Sequence, residues 1–391
     1  EAVWVDFLQK LGYSSDEAKN WLVGPGYTAW QFMSNMENYG GPINDQYVLD
    51  RLELARKNQY KMRLLGMDVV LQGYSGMIPS DYENVVNDKE NPLHKQIIDA
   101  MMPQGVWGGQ FIRPDMLKTN SEVFVKCAEL FYESQEDVLG DVSHYYATDP
   151  FHEGGIPPTD MTTEEISRTV LREMMKKDPV AVWIIQSWDA NPTEGLLNGL
   201  DEYREDHALI LDLNATADPR YNNSNWGNEF HETSWVYCML DNYGDRPGVH
   251  GELEVITSQI YKARNSTNHM KGIGITPEGM QLNPVNYELF FETAWEDTEI
   301  DVEEWLKDYV ERRYGTYSES AYQGWLKLLD TAYGASGGHS GAPNSIANFR
   351  PEGISPILGN NKSIPYNTKL FNLAVKDILK DYDKLCSSEG Y

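Results

Sequence analysis

Six apolar, β-rich runs separated by stretches of helical periodicity constrain the fold more than any other feature of this 391-residue chain. They are MDVVLQGY from Met67, HYYATDPF from His144, AVWIIQSW from Ala181, ALILDLNA from Ala208, SWVYCMLDNYG from Ser234 and KGIGITPEG from Lys271. Each is near-continuously apolar instead of alternating, the pattern of strands buried on both faces of a parallel sheet. The clearest helix between them is TTEEISRTVLREMMKKDP. Thr162 and Glu165 are spaced for a capping box, apolar residues recur at helical intervals, and lysines precede the terminating Pro179. Strand and helix alternating in this way predict an α/β fold, either a doubly wound sheet or a (β/α) barrel.

The strand ends separate the two. Polar, aromatic and Gly-rich residues gather after nearly every strand, as in GYSGM, DPFHEGG, QSWDAN, NATAD, DNYGD and TPEG. A barrel uses the C-terminal ends of many strands, whereas a doubly wound sheet concentrates its working residues at one switch point. A TIM-like (β/α)8 barrel is therefore expected. Six strands are two short of the eight a barrel needs, and EAVWVDFLQKLGY reads as a helix already under way with no capping residue. The expectation is an N-terminally incomplete barrel belonging to a longer protein. From about residue 300 the strands stop, and VEEWLKDYVERRYG, ESAYQGWLKLLDTAYG and NTKLFNLAVKDILKDYDKL read as amphipathic helices. The predicted domains are a barrel over 1–299 and the start of an α-helical domain over 300–391. A Gly/Ser/Pro/Asn-rich stretch from about Gly334 to Pro365 reads as a loop reaching over the barrel mouth.

Composition excludes several partners. Sixty acidic against 32 basic residues give a net charge of -28, which repels nucleic acid and anionic membrane surfaces and disfavours a polyanionic substrate. A neutral or locally recognised ligand is expected. Only Cys127, Cys238 and Cys386 are present, so neither a disulfide framework nor a paired-Cys metal motif is expected. Neither His152-Glu153 nor His231-Glu232 is followed by a second His at the zinc-protease spacing. GIGITPEG is not a dinucleotide-binding turn, and no P-loop lysine or GxSxG nucleophile elbow occurs. No metal and no cofactor is expected. No run of 18 apolar residues suggests a membrane span.

Carboxylate chemistry remains. Glu153 follows the second run among apolar and aromatic neighbours, surroundings that keep a carboxyl protonated for donation to a leaving oxygen. Glu278 holds the same place after the last run, in a turn set by Pro277 and Gly279. Two carboxylates across a barrel mouth are what glycoside hydrolysis uses. Each also has an ordinary reading as a loop glutamate. Glu252 and Glu292 rank lower as partners, since one lies several residues beyond its strand and the other within a helical pattern.

The stretches GPGYTAWQFMSNMENYGGP, MDVVLQGYSGMIP, TDPFHEGGIPP, VWIIQSW, YCMLDNYGD and GITPEGMQLNPVNYELFFETAW, in this order, resemble the alpha-N-acetylglucosaminidases of glycoside hydrolase family 89. The resemblance covers essentially the whole chain. It implies a small N-terminal domain, a (β/α)8 barrel and a large helical C-terminal domain, with this chain beginning after the second barrel strand and stopping within the helical part. It implies removal of terminal α-linked N-acetylglucosamine with retention, Glu153 as acid/base, Glu278 as nucleophile, and the Gln186-to-Trp188 motif in the sugar pocket. His152, Trp30, Tyr74, Trp235 and Asn242 are further candidates for substrate contact, although core packing is the stronger reading for Trp30 and Trp235. The resemblance also implies an extracytoplasmic setting: secreted, periplasmic or lysosomal. The charge points toward neutral glycan ends of mucin type before heparan-type polyanions. Two alternatives stay open: a barrel glycosidase of another terminal specificity, and an inactive carbohydrate-binding homologue.

Overall fold

All six apolar runs form strands. The structure is a computed structural model and describes residues 1–241, 249–280, 282–334 and 366–387. It divides into two units, Glu1–Leu211 with Asn222–Ser234, and Asp212–Tyr221 with Trp235–Tyr391.

The first unit opens with helices α1 (Ala2–Lys10), α2 (Ser15–Trp21), α3 (Thr28–Phe32) and α4 (Asp45–Leu64). Strands and helices then alternate: β1 (Val70–Gln72), α5 (Glu122–Leu139), β2 (Tyr145–Ala147), α6 (Thr163–Lys177), β3 (Val182–Ser187), α7 (Glu194–Gly199) and β4 (Ala208–Asp212). The four strands lie side by side in chain order. Val70 faces Tyr145 and Gln72 faces Ala147 across the first pair, and Tyr145 faces Val182 and Ala147 faces Ile184 across the second, both parallel. Parallel neighbours joined through helices are βαβ units, so β1, β2 and β3 present their C-terminal ends on the same side.

An aromatic cluster anchors the helices to this sheet. Trp4 and Phe7 of α1 lie 5.0 and 5.6 Å from Phe131 of α5, Trp4 lies 5.1 Å from Trp21, and Tyr74 lies 5.2 Å from Phe131. These rings are all but fully buried, and large aromatics of this kind dominate core energetics. The Trp4 indole N–H is satisfied by Gln72 Oε1 at 2.8 Å. Helix α6 begins as its sequence predicts: Thr162 Oγ1 accepts the Glu165 N–H at 3.2 Å, and the Glu165 carboxylate accepts the Thr162 N–H at 2.8 Å. Such a cap contributes about 1 kcal/mol.

Between β1 and α5 the chain adds what the sequence did not announce. Met77–Ile78, Met101–Met102 and Asp115–Leu117 pair into an antiparallel patch, and Val106–Trp107 pairs with Phe111–Ile112. Strands of two or three residues are too short to leave a periodic signal.

In the second unit, β5 (Trp235–Met239), α8 (Leu253–Ser266) and β6 (Met270–Ile275) form a further parallel pair, with Met239 facing Ile275. Helices α9 (Pro284–Glu292), α10 (Val302–Tyr314), α11 (Glu319–Leu329) and α12 (Thr368–Leu379) follow with no strand among the described residues. Trp305 and Tyr309 of α10 stack at 5.1 Å, and Trp325 of α11 donates its indole N–H to the Tyr314 hydroxyl at 3.0 Å. The helices expected after residue 300 are thus present. Residues 335–365 of the expected mouth loop, and Asn242, lie outside the described residues. Among the described residues no helix is long and apolar enough to cross a membrane.

Helix α7 sits so close to α6 that a Cβ at Gly199 would meet Ser167 Oγ at 2.2 Å and the Glu164 carbonyl oxygen at 2.3 Å. Gly199→Ala is therefore expected to cost about 1–3 kcal/mol through overpacking. Urea unfolding checks this: the midpoint should fall with the slope unchanged, and an unmoved midpoint would rule out the close approach.

Candidate active site

The site grows from the ends of β2 and β3. Beyond β2, Asp149 is buried at 4% exposure, and its carboxylate collects donors from the chain leaving β3. Oδ1 accepts the Gln186 N–H at 3.0 Å and Asn191 Nδ2 at 3.0 Å, while Oδ2 accepts Gln186 Nε2 at 2.6 Å. Burial pushes the Asp149 carboxyl upward, opposed by the field of His152 and by these donors. Asn191 also donates to the Gln186 carbonyl at 2.7 Å, and Trp188 and Asn191 exchange backbone hydrogen bonds of 3.0 and 2.9 Å. The result is a closed turn, with Asp189 at φ 52°, that fixes the direction of the Trp188 indole.

That indole points at Glu153. Trp188 Nε1 donates to Glu153 Oε1 at 2.9 Å, and Asn35 Nδ2 donates to Glu153 Oε2 at 2.7 Å. Each carboxylate oxygen therefore has its own donor. The backbone beneath is a tight turn in which Phe151, Glu153 and Gly154 take φ of 59°, 44° and 84°. Positive φ at two non-glycine residues costs roughly 1 kcal/mol or more each. Gln104 clamps the exit of the turn, accepting the Ile156 N–H at 2.7 Å and donating to the Ile156 carbonyl at 3.1 Å.

Asn35 is held from a loop after α3. Its N–H bonds the Trp30 carbonyl at 2.9 Å, and Ser34 takes φ 62°. The same loop is nailed down by Glu37, 2% exposed, which accepts from Trp21 Nε1 at 2.6 Å, from the Ser80 N–H at 3.2 Å and from the Ser80 hydroxyl. Arg113, 2% exposed, lies between the hairpin strand Phe111–Ile112 and Asp115–Leu117 and also reaches this turn.

Of the sequence candidates, Glu153 and Trp188 are in direct contact in the first unit. His152 is buried beside them, its Nδ1 without a hydrogen-bond partner in the protein. Trp30 is half-buried on α3. Tyr74 at 1% and Trp235 at 0% exposure belong to the core instead of a pocket wall. Tyr74 packs among Phe7, Phe124 and Phe131, and Trp235 stacks on Tyr221 at 4.6 Å in the second unit. Glu278 lies in the second unit, exposed, in the turn after β6. That turn leaves β6 through Thr276, whose N–H bonds the Met239 carbonyl at 3.0 Å and whose hydroxyl donates to the Leu213 carbonyl at 2.9 Å. Reasoning from strand ends missed Asn35, Asp149, Glu37 and Arg113. Asn35 precedes the first strand, although it lies within a motif that carries the family resemblance. Arg113 is a lone arginine with no motif around it.

A strand-end carboxylate on a βα framework is followed in the chain, among the described residues, by helices without strands. Residues 1–297 match the model described as the alpha-N-acetylglucosaminidase TIM-barrel domain and residues 305–391 match its C-terminal domain. The chain belongs to the alpha-N-acetylglucosaminidase family. Human alpha-N-acetylglucosaminidase is 28% identical over 409 residues, covering 100% of this chain and 52% of the human protein. A family 89 enzyme of Clostridium perfringens, solved with its substrate GlcNAc-alpha-1,4-galactose, is 37% identical with a TM-score of 0.89 over 100% of this chain and 43% of its own. The Clostridium enzyme in complex with PUGNAc superposes with the same TM-score at 38% identity and the same coverage. This chain spans about half the length of the relatives it matches.

Burial raises the Glu37 carboxyl from 4.5 to about 7, with the Ser80 and Trp21 donors pulling the other way. Through that window the folded chain keeps a proton that the unfolded chain has released, so stability falls as pH rises, by roughly 3 kcal/mol in all. Glu37→Gln is expected to flatten this dependence, seen by comparing denaturation midpoints at about pH 5 and about pH 7.5. A parent protein already flat over that range would contradict the assignment.

Proposed function

We propose that the chain carries the catalytic centre of an exo-acting, retaining glycoside hydrolase that removes terminal α-linked N-acetylglucosamine by double displacement. The observation that carries this reading is the Glu153 carboxylate, gripped at one oxygen by Asn35 and at the other by the indole of the Gln186-to-Trp188 motif. Membership of the alpha-N-acetylglucosaminidase family supports the sugar, and the substrate in the Clostridium perfringens complex supports a neutral glycan end.

The stereochemistry of that sugar sets the mechanism. In an α-linked N-acetylglucosaminide the 2-acetamido group lies on the same side of the ring as the leaving oxygen. It cannot attack from behind, so the protein must supply the nucleophile. In this reading Glu278 attacks the anomeric carbon while Glu153 protonates the departing oxygen. Glu153 then takes a proton from the water that releases the sugar from Glu278. Asn35 and Trp188 hold the Glu153 carboxylate along one direction through both steps. Trp188 and Trp30 line the sugar, and His152, buried beside Glu153 with its Nδ1 unpaired, hydrogen-bonds it. The barrel takes residues 1–299 and the helical domain begins at 300. The protein works outside the cytoplasm and needs neither metal nor cofactor.

Hydrolysis of 4-nitrophenyl α-N-acetylglucosaminide in preference to the α-glucoside is the expected specificity, and the reverse preference would overturn the choice of sugar. Glu153→Gln should lower turnover by about 100-fold to 10,000-fold, the usual worth of a general acid. Glu278→Ala should abolish turnover at unchanged folding stability, and a fluorosugar inactivator should label Glu278. A label on any other carboxylate would remove Glu278 from its role. Trp188→Phe keeps the ring but not the N–H, and is expected to cost about 10-fold in kcat, the scale of one lost hydrogen bond to a charged group.

A further inference from the structure

We propose that Arg113 is a positioning residue for the acid/base carboxylate, acting on both the backbone that carries Glu153 and the amide that orients it. The inference rests on the hydrolase reading above.

Arg113 comes from the small antiparallel insertion between β1 and α5, far in sequence from either partner. Its guanidinium converges on them nonetheless. One terminal nitrogen donates to the Ser34 carbonyl at 3.2 Å, to Asn35 Oδ1 at 3.2 Å and to the His152 carbonyl at 3.1 Å. The other donates to the Glu153 carbonyl. All four acceptors belong to the two segments that meet at the Glu153 carboxylate. Two are the consecutive carbonyls of the strained turn, and one is the oxygen of the amide whose nitrogen grips Glu153.

Three consequences follow from this arrangement. Accepting from Arg113 fixes which end of the Asn35 amide faces Glu153, because only the Nδ2 end is left to donate. The carbonyls of a turn at φ 44° gain a charged, planar donor that stabilises a backbone conformation an ordinary glutamate disfavours. A buried positive charge also stands close to the acid: the two attract, the Glu153 charge working against the burial that lowers the affinity of Arg113 for its proton. Lysine, a point charge on a flexible stem, cannot span the four acceptors.

The test uses two substrates that differ only in their need for the acid. Phenyl α-N-acetylglucosaminide requires protonation of its leaving oxygen, whereas the 2,4-dinitrophenyl glycoside departs without it. Because kcat/KM reports only steps up to departure of the aglycone, a misplaced acid lowers it for the first substrate and spares the second. Arg113→Lys and Arg113→Ala are expected to lose about 10- to 100-fold in kcat/KM on the phenyl glycoside, the scale of an ångström-level misplacement. The loss on the dinitrophenyl glycoside should be under about 3-fold, within the range of unrelated small effects. Added guanidinium ion should restore part of the loss in Arg113→Ala. Equal losses on both substrates, or none on either, overturn the role of Arg113 while leaving the hydrolase reading intact. If Arg113→Ala does not fold, Arg113→Lys decides by the same ratio. If the unsubstituted chain turns over neither glycoside, the hydrolase reading fails and takes this inference with it.

Discussion

Parallel pairing of β2 with β3 brings two chain ends side by side, and the buried carboxylate of Asp149 joins them. A carboxylate taken out of water is costly unless its oxygens are satisfied. Here both are, by the backbone and side chain of Gln186 and by Asn191. Those three bonds hold the turn that contains Trp188, and the indole of that turn meets Glu153. Removing the Asp149 clamp would leave the Glu153 carboxylate with a wandering partner, so the geometry of the site is inherited from the pairing of the sheet.

The site also stores strain. Glu153 and its neighbour Phe151 sit at positive φ, and the loop bearing Asn35 has the same feature at Ser34. Such backbone persists only where the surroundings over-determine it. Gln104 at one side and Arg113 beneath do so for the Glu153 turn, and Glu37 does so for the Asn35 loop. Buried carboxylates recur as scaffold elsewhere. Asp212, fully buried in the second unit and raised to about 7, accepts the N–H groups of Arg220 and Tyr221 and so pins the loop that returns to Trp235. In a chain with a net charge of -28, several acids thus serve as internal hydrogen-bond acceptors instead of surface charge.

Much of the fold was legible in the sequence because burial on both faces of a sheet demands unbroken apolar runs. The six strands, the capped helix α6 and the helices after residue 300 each carried a local signal of this kind. The two- and three-residue strands between β1 and α5 did not, because pairing of that length comes from tertiary contact and not from pattern. Trp235 and Tyr74 show the limit of such local signals. An aromatic residue near a strand end reads the same whether it faces a ligand or the core, and only the neighbours Tyr221, Phe7 and Phe131 decide.

Glu153 could be picked out from the sequence, since strand position and residue type are local properties, whereas the Gln186-to-Trp188 motif was singled out by the family resemblance. Family resemblance then supplied the sugar and, through its stereochemistry, the need for a second carboxylate. Asn35 and Arg113 could not be found that way. Asn35 lies 118 residues from Glu153 and Arg113 lies 40 residues from it. Neither spacing follows from any helical or strand repeat. Their roles arise where two loops and a buried guanidinium converge, a condition set by packing in three dimensions and written into no single stretch of the chain.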